Sequence, residues 1–400
     1  MMNKKKNGTF STLIELLFVS FKLGLTSFGG PVAHLGYFRE EYVKRRKWLD
    51  DNTYSDLVAL CQFLPGPASS QVGISIGTLR GGMLGGVASF IGFTLPSVIA
   101  LIAFALLIDG YQVINSGWIH GLKLVAVAVV AHAIVGMSKA LVPDVPRKSI
   151  ALFVMIAILL WPSPLNQVVM ILLAGAIGLV LYKDEASENH VHNNNFSVSF
   201  KTGLICLAIF FVLLFGLPLI NTYTNIQWLA MVDSFYRAGS LVFGGGHVVL
   251  PLLETEFVPG GWLSENNFLT GYAAAQAVPG PLFTFASYIG AVIGGWPGGL
   301  LATAAIFLPA YLLVIGTLPF WDRIRRNPYA GGVLKGVNAG VLGLLIAAFY
   351  DPIWTSSIFK PQDFAFSAFM FFMLAYWKVP PWAVVITGTF GGWLLSLLQN

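Results

Sequence analysis

The chain repeats one set of glycine- and proline-containing motifs about half its length apart. FGGP at residues 28–31 returns as FGGG at 243–246, and QFLPGP at 62–67 returns as QAVPGP at 276–281. Proline lacks an amide donor and glycine permits sharp turns, so each motif interrupts a helix. Repeated helix breaks inside apolar segments are typical of two-fold repeated membrane transporters whose site lies at the breaks.

Composition places the chain in a membrane. Of its 400 residues, 56% are hydrophobic and 10% are charged, whereas about a quarter of an ordinary soluble domain is charged. The net charge of +5 comes from clustered loop residues, so it indicates orientation and not binding to nucleic acid. Cys61 and Cys206 both lie in apolar stretches, so we expect no disulfide framework, no metal and no cofactor.

Several apolar runs are long enough to cross a bilayer, which takes about 20 residues. They lie near 83–108, 117–139, 149–162, 165–182, 202–220, 298–318, 331–350, 363–377 and 380–398. The strongly polar stretch 183–201 separates the halves. We therefore divide the chain into a first repeat (10–182), a polar linker with a linking transmembrane helix (183–227) and a second repeat (228–398).

Four other segments are broken at the repeated motifs. Residues 10–28 and 53–64 run into the first two breaks and continue beyond them, and 228–257 and 267–294 are their counterparts. Each is predicted to be a helical hairpin that enters the membrane and returns on the same side. The predicted fold is an all-α polytopic membrane protein with re-entrant hairpins broken at the FGGP/FGGG and PGP motifs.

The placement of charge favours this topology. With residues 4–6 in the cytoplasm, the basic cluster at 39–47 also falls inside, whereas the acidic stretch 254–265 falls outside. Lys360 is the main exception to the positive-inside rule. An odd number of crossings separates the repeats, so they are predicted to be inverted, with the N-terminus in the cytoplasm and the C-terminus outside.

The motifs FGGPVAHLGYF, QFLPGPASSQ, FGGGHVVLPLLE and AQAVPGP carry a family likeness. At these places, over nearly the whole chain, the sequence resembles the long, two-domain form of the chromate ion transporter family. The resemblance implies export of chromate from the bacterial cytoplasm across the inner (plasma) membrane, driven by ion gradients, with sulfate as a related oxyanion. The chain has no GxxxxGK[ST] phosphate loop, which agrees with a transporter not driven by ATP.

A tetrahedral dianion needs hydrogen-bond donors and positive potential, which half-helix N-termini supply through their exposed amides. We therefore predict that the four helix breaks meet near the membrane midplane and bind the ion there. The alternative is that glycine and proline only kink packed helices. The candidate substrate-binding residues are Gly29, Gly30, Pro31, Gln62, Pro65, Gly66, Pro67, Ser69, Ser70, Gly244, Gly245, Gln276, Pro279, Gly280, Pro281 and Thr284.

Basic residues within apolar segments are further candidates, because charge is costly at that depth. Lys22 and Arg237 occupy equivalent positions of the repeats and are predicted to attract the oxyanion or to gate, unless they reach an interface instead. Lys123 could line the pathway or pair with Asp56 or Glu15. Arg80 could gate or anchor.

Two histidines follow the FGGP and FGGG motifs closely. His34 and His247 could couple transport to protons because histidine titrates near neutral pH, or they could be hydrogen-bonded packing residues.

Other functions stay open at this stage. A sulfate or other oxyanion carrier or channel would need the same donors, and an intramembrane enzyme acting on lipid is a further alternative. The expected partners are chromate, sulfate and membrane lipid, and a homodimer is one conceivable assembly.

Overall fold

The computed structural model describes residues 9–28, 30–111, 117–161, 163–182, 198–224, 226–243, 246–321 and 328–399. Within these ranges the chain forms helices and no β-strand. The candidate residues Gly29, Gly244 and Gly245, the basic residues 4–6 and most of the polar linker lie outside the described residues.

The first repeat and the linking helix contain eight α-helices within the described ranges. They are α1 (Thr9–Thr26), α2 (Gly30–Phe38, extended by a π-helix at Arg39–Arg45), α3 (Asp51–Phe63), α4 (Ala68–Tyr111), α5 (Gly117–Leu141), α6 (Val145–Leu160), α7 (Pro164–Leu181) and α8 (Phe200–Tyr223).

The second repeat follows the same order. It contains α9 (Gln227–Leu241), a 3-10 turn (Gly246–Val248), α10 (Val249–Phe257), α11 (Glu265–Ala277), a 3-10 turn (Leu282–Thr284), α12 (Phe285–Thr317), a 3-10 turn (Leu318–Phe320), α13 (Pro328–Ala348, followed by a π-helix at Phe349–Trp354), α14 (Pro361–Ala375) and α15 (Pro381–Gln399).

Five helical stretches are long and apolar enough to cross a membrane: Ala68–Ile108, Gly117–Leu141, Phe200–Tyr223, Leu282–Phe320 and Gly331–Trp354. They confirm the prediction of a polytopic, all-α membrane protein. The other four predicted crossings fall on α6, α7, α14 and α15, helices of 16, 18, 15 and 19 residues. The number of crossings stays a prediction.

The segments broken at the motifs form antiparallel helix pairs. Ser20 of α1 lies 3.1 Å from the hydroxyl of Tyr42, and Glu15 accepts a 3.1 Å hydrogen bond from Arg46, so α1 runs antiparallel to α2 and its π extension. Across the next break, Cys61 Sγ lies 3.6 Å from Ser75 Oγ. The helices therefore fold back at the breaks, and the entry of these pairs into a membrane stays a prediction.

A second kind of break was missed in the sequence. Gly81 and Gly82 turn the chain within α4, with φ of +67° at Gly82, and Gly294 and Gly295 do so within α12, with φ of +63° at Gly295. Each long helix is thus two helices joined by a tight turn. The halves of α4 approach so closely that a Cβ on Gly77 would overlap the carbonyl oxygen of Gly85.

The repeats are inverted relative to each other. The hydroxyl of Tyr311, near the end of α12, donates a 3.0 Å hydrogen bond to the carbonyl of Met83, where the second part of α4 begins. Farther along, a Cβ on Gly299 would lie 2.7 Å from Ile102 Cγ1. These two helices occupy equivalent positions in the repeats and run antiparallel, which confirms the predicted inversion.

The repeats also interlock through their later helices. α5 packs against α14 and α15 of the second repeat, and α13 packs against α6 and α7 of the first. Close approach of backbones at glycines permits both contacts, since Gly121 lies against Gly388 and Gly178 against Gly336. The two repeats therefore form one body around the helix breaks.

Candidate functional site

The helix breaks of the two repeats meet in a crossed pair of backbone hydrogen bonds. The amide of Gly280 donates to the carbonyl of Ser27 over 2.9 Å, and the amide of Gly66 donates to the carbonyl of Val242 over 2.6 Å. Each bond joins a PGP bend of one repeat to the end of the helix before the FGG motif in the other. We call the Ser27–Gly280 contact the first tip junction and the Val242–Gly66 contact the second.

Glycine is required at both bends. Gly66 has φ of +115° and Gly280 has φ of +104°, backbone conformations that residues with a Cβ rarely adopt. The sequence made these glycines candidates because their backbone amides could donate to the ion. Both amides instead donate across the junctions, so they are not free donors. Hydrogen-bond donors to an ion at the bends would therefore come from neighbouring residues.

Two hydroxyl groups lie next to the first bend, at the start of α4. Ser69 Oγ lies 3.2 Å from His34 Nδ1, and Ser70 Oγ is buried with no hydrogen-bond partner among the described residues. The first amides of α4 also have no partner within the helix. By contrast, Thr284 donates its hydroxyl to the carbonyl of Pro281 over 2.7 Å.

The PGP bends are held by local hydrogen bonds as well. The side-chain amide of Gln71 donates to the carbonyl of Pro65 over 2.7 Å, and the Gln71 backbone amide donates to Pro67 over 3.0 Å. Pro281 caps the second bend through its carbonyl, as described, and Pro279 precedes it. Gly30, with φ of +80°, and Pro31 begin α2.

The two glutamines before the bends differ in their surroundings. Gln62 is exposed, whereas Gln276 is half-buried and its side chain contacts the hydroxyl of Tyr272. The sequence placed both at the site on equal terms. The two glutamines differ in burial, and their role in binding the ion stays a prediction.

Three polar residues near the first tip junction were missed in the sequence. Ser27 Oγ and Thr94 Oγ1 are buried without a described hydrogen-bond partner, and a Cβ on Gly280 would lie 2.8 Å from Ser97 Oγ. Ser97 could have been found from the sequence, because it follows Pro96, a proline whose repeat equivalent is Pro309.

Comparison with known protein families identifies the family of this chain. The family model described as "Chromate transporter" matches the chain twice, over residues 14–179 and 229–393. These two matches cover most of the chain and correspond to its two repeats. The chain belongs to the chromate transporter family.

Named relatives match along most of the chain. A chromate transport protein of Pseudomonas aeruginosa is 28% identical, over 95% of this chain and 92% of the relative. A probable chromate transport protein of Synechococcus elongatus is 27% identical over 84% of each chain, and a chromate transport protein of Cupriavidus metallidurans is 26% identical over 84% and 82%. No solved structure matches this member of the chromate transporter family significantly.

In this chromate transporter family member, the predicted cation Arg237 is held by two carboxylates. It donates to Asp233 over 3.1 Å and to both oxygens of Glu256 over 2.7 and 2.9 Å. The repeat-equivalent Lys22 is exposed on α1. The two residues therefore differ in their surroundings, and their role in attracting an anion stays a prediction.

The other two basic candidates also contact polar groups. Arg80 donates to Glu15 over 2.9 Å and lies 4.2 Å above the ring of Trp48, a geometry that favours anchoring. Lys123 donates to the side-chain oxygen of Asn266. The carboxylate of Glu15 accepts from Arg46 and Arg80, and the role of Lys123 in the pathway stays a prediction.

Both candidate histidines are hydrogen-bonded near the helix breaks. His34 is buried, and its ring meets Phe93 edge-on at a centroid distance of 5.4 Å. His247 Nδ1 lies 2.8 Å from the hydroxyl of Tyr272. Among the described residues, no group of three or more His, Cys, Asp or Glu side chains is placed to hold a metal ion.

Proposed function

We propose that this chain is a secondary active transporter that exports chromate across the cytoplasmic membrane of a bacterium. Family membership and the names of the Pseudomonas, Synechococcus and Cupriavidus relatives, as chromate transport proteins or a probable one, support chromate as the substrate. The observation that carries the proposal is the meeting of the helix breaks at Ser27–Gly280 and Val242–Gly66, next to buried hydroxyl groups that have no hydrogen-bond partner among the described residues.

Neutral donors suit a transported dianion. A hydrogen bond to a charged group contributes about 1.5–3 kcal/mol, so a few hydroxyl and amide donors can replace the hydration of the ion. The positive potential at the start of α4 adds to them. A bound full charge would hold the ion more strongly and slow its release, so the absence of a described cation contact at Ser70 is consistent with transport.

The inverted repeats supply a route for alternating access. In transporters of this architecture, one repeat rocks against the other around a site near the midplane. Here the tip junctions lie between the repeats, so rocking would open the junctions to one side at a time. Coupling to an ion gradient belongs to this proposal, with His34 and His247 as the candidate proton-linked groups.

A test in cells uses a bacterial strain that lacks a chromate exporter and is sensitive to chromate. Expression of the chain is expected to lower intracellular chromate and to restore growth, because export removes the oxyanion. The matched control is Gly280→Ala at equal membrane abundance. Unchanged chromate content in energised cells that express the wild-type protein would contradict the proposal.

A sulfate carrier is distinguished in the same strain. Tetrahedral dianions of similar size accept the same hydrogen bonds, so sulfate is expected to compete. Export of labelled sulfate that chromate does not inhibit would assign the chain to sulfate instead.

A further inference from the structure

The two tip junctions have the same backbone geometry but opposite side-chain chemistry. Repeat equivalence at these positions is visible in the packing: a Cβ on Gly24 would crowd the carbonyl oxygen of Phe93, and a Cβ on Gly239 would overlap that of Ile306. The same helix-to-backbone contact occurs in both repeats, so each position near the first junction can be matched to one near the second. This correspondence allows the two junctions to be compared residue by residue.

Four positions are polar at the first junction and apolar at the second, whereas Ser70 and its counterpart Thr284 are both polar. The first-junction residues are Ser27, His34, Thr94 and Ser97, and their counterparts are Val242, Val249, Phe307 and Ala310. All eight are buried. A sequence under no demand for polarity would place apolar side chains at both junctions, because burying a hydroxyl is unfavourable unless it is hydrogen-bonded.

The first-junction residues form one connected group. Gly280 donates to Ser27, and a Cβ on Gly280 would lie 2.8 Å from Ser97 Oγ and 3.5 Å from the carbonyl oxygen of Phe93. The ring of Phe93 contacts His34, and His34 in turn contacts Ser69. The polar side chains are therefore gathered around the bend at Gly280.

Two polar atoms in this neighbourhood, Ser27 Oγ and Thr94 Oγ1, have no hydrogen-bond partner among the described residues, and Ser70 Oγ at the start of α4 has none either. The His34 ring contacts Ser69 and the backbone of Ser27. Hydroxyls that only brace helices donate to the preceding turn, as Ser97 does to Thr94 over 3.0 Å. Buried polar groups in native proteins are nearly always partnered, so a concentration of unpartnered ones needs an explanation. Hydroxyl donors beside the N-terminus of α4 indicate an anion.

The polar side chains of the second junction are not arranged for an anion. Thr284, the repeat counterpart of Ser70, donates its hydroxyl to the carbonyl of Pro281. Gln71 Nε2 would lie 3.0 Å from a Cβ on Gly66, but this nitrogen donates to the carbonyl of Pro65. The unpartnered atom of Gln71 is its acceptor oxygen Oε1. An acceptor does not bind an anion.

We infer that a tetrahedral oxyanion binds at the first tip junction alone, with Ser27, Ser70 and Thr94 as its donors, and that each chain holds one such ion. The second junction is an apolar contact that joins the repeats. This inference rests on the proposed oxyanion transport and states which of the two tip junctions binds the ion.

The test measures equilibrium binding of radiolabelled chromate, and separately of radiolabelled sulfate, to the purified full-length protein in detergent. We expect one bound ion per chain. Ser27→Ala and Thr94→Val are each expected to raise the Kd at least about tenfold, as the loss of one hydrogen bond to a charged group would. Thr94→Ser keeps the hydroxyl and is expected to restore binding to within about twofold of wild type.

The matched control is Val242→Thr, which keeps the shape of the side chain at the second junction. It is expected to leave the Kd unchanged. Wild-type Kd in both Ser27→Ala and Thr94→Val, or two ions per chain, would overturn the inference. Binding of one ion that depends on Ser27 and Thr94, in a protein that moves neither chromate nor sulfate across a membrane, would support the inference and contradict the proposed function.

Discussion

The backbone amide of Gly280 donates a 2.9 Å hydrogen bond to the carbonyl oxygen of Ser27. This bond ties the PGP bend of the second repeat to the end of α1 in the first. The reciprocal bond from Gly66 to Val242 repeats the arrangement with the roles of the halves exchanged. Both bonds use only backbone atoms, so the chemistry of each junction is set by the side chains around it.

Alanine at Gly280 should impair substrate binding. The added Cβ is strained at φ of +104° and would lie 2.8 Å from Ser97 Oγ at the polar junction. We expect Gly280→Ala to raise the chromate KM at least about tenfold or to abolish flux. The measurement is initial flux against chromate concentration, normalised to the amount of protein in the membrane.

Two helix glycines serve as controls for that substitution. A Cβ on Gly136 or on Gly216 would meet no atom within 4 Å, so alanine there is expected to leave the KM unchanged. Gly388 would not serve as such a control, because a Cβ added there would overlap the side chain of Val125. If Gly280→Ala kept the wild-type KM and flux, the bend would be a structural kink and the ion would bind elsewhere.

Arg237→Gln should lower stability, because it removes the guanidinium from the buried Asp233 carboxylate and the half-buried Glu256 carboxylate. Loss of a hydrogen bond between charged groups costs about 1.5–3 kcal/mol, so we expect a lower melting temperature in detergent and reduced abundance. The double variant Arg237→Gln/Glu256→Gln should recover part of the loss. Unchanged melting of the single variant would show that these contacts contribute little.

Lys22→Gln tests whether a positive charge at this position attracts the dianion, since Lys22 is exposed. If its charge attracts the dianion, the substitution should raise the chromate KM severalfold while abundance stays constant, and Lys22→Arg should be milder. A wild-type KM at low ionic strength, where screening is weakest, would leave Lys22 as an interface anchor.

Arg80 is expected to anchor and not to gate. Loss of its ion pair with Glu15 and of its contact with Trp48 should destabilise the protein by about 1 kcal/mol, measured as a small decrease in melting temperature. The chromate KM of Arg80→Gln should match that of wild type. A changed KM with unchanged melting would instead indicate gating.

Single cysteines test the predicted topology, in a background that lacks the buried Cys61 and Cys206. Lys44→Cys is expected to react with a membrane-impermeant thiol reagent only from the cytoplasm, and Pro259→Cys only from outside. Both positions are exposed. Labelling of position 44 from outside would exclude hairpins that return to their own side.

The repeated motifs were sufficient to predict the architecture. Helix breaks at Pro65–Pro67 and Pro279–Pro281, antiparallel helices on either side of them and inverted repeats all follow from local rules for glycine and proline combined with the distribution of charge. The turns at Gly81–Gly82 and Gly294–Gly295 were equally visible, because both glycine pairs recur at the same spacing. They were overlooked because the surrounding apolar runs suit continuous helices.

The contacts across the molecule could not be predicted in this way. Offsets show that Ser27 corresponds to Val242, but they do not show that Ser27 meets Gly280. Arg237 pairs with Glu256 of the following helix because the hairpin folds back, and no local pattern marks that pair. The polarity of Ser27, Thr94 and Ser97 gains meaning only when the breaks are brought together.

The most direct test of the account is transport by inverted membrane vesicles, whose interior corresponds to the outside of the cell. With an ion gradient imposed and no ATP added, wild-type vesicles are expected to accumulate labelled chromate, to stop when the gradient is collapsed and to be inhibited by excess sulfate. Vesicles with Gly280→Ala should show little accumulation at equal protein abundance. Accumulation by wild-type vesicles that equals that of vesicles without the protein would contradict the account.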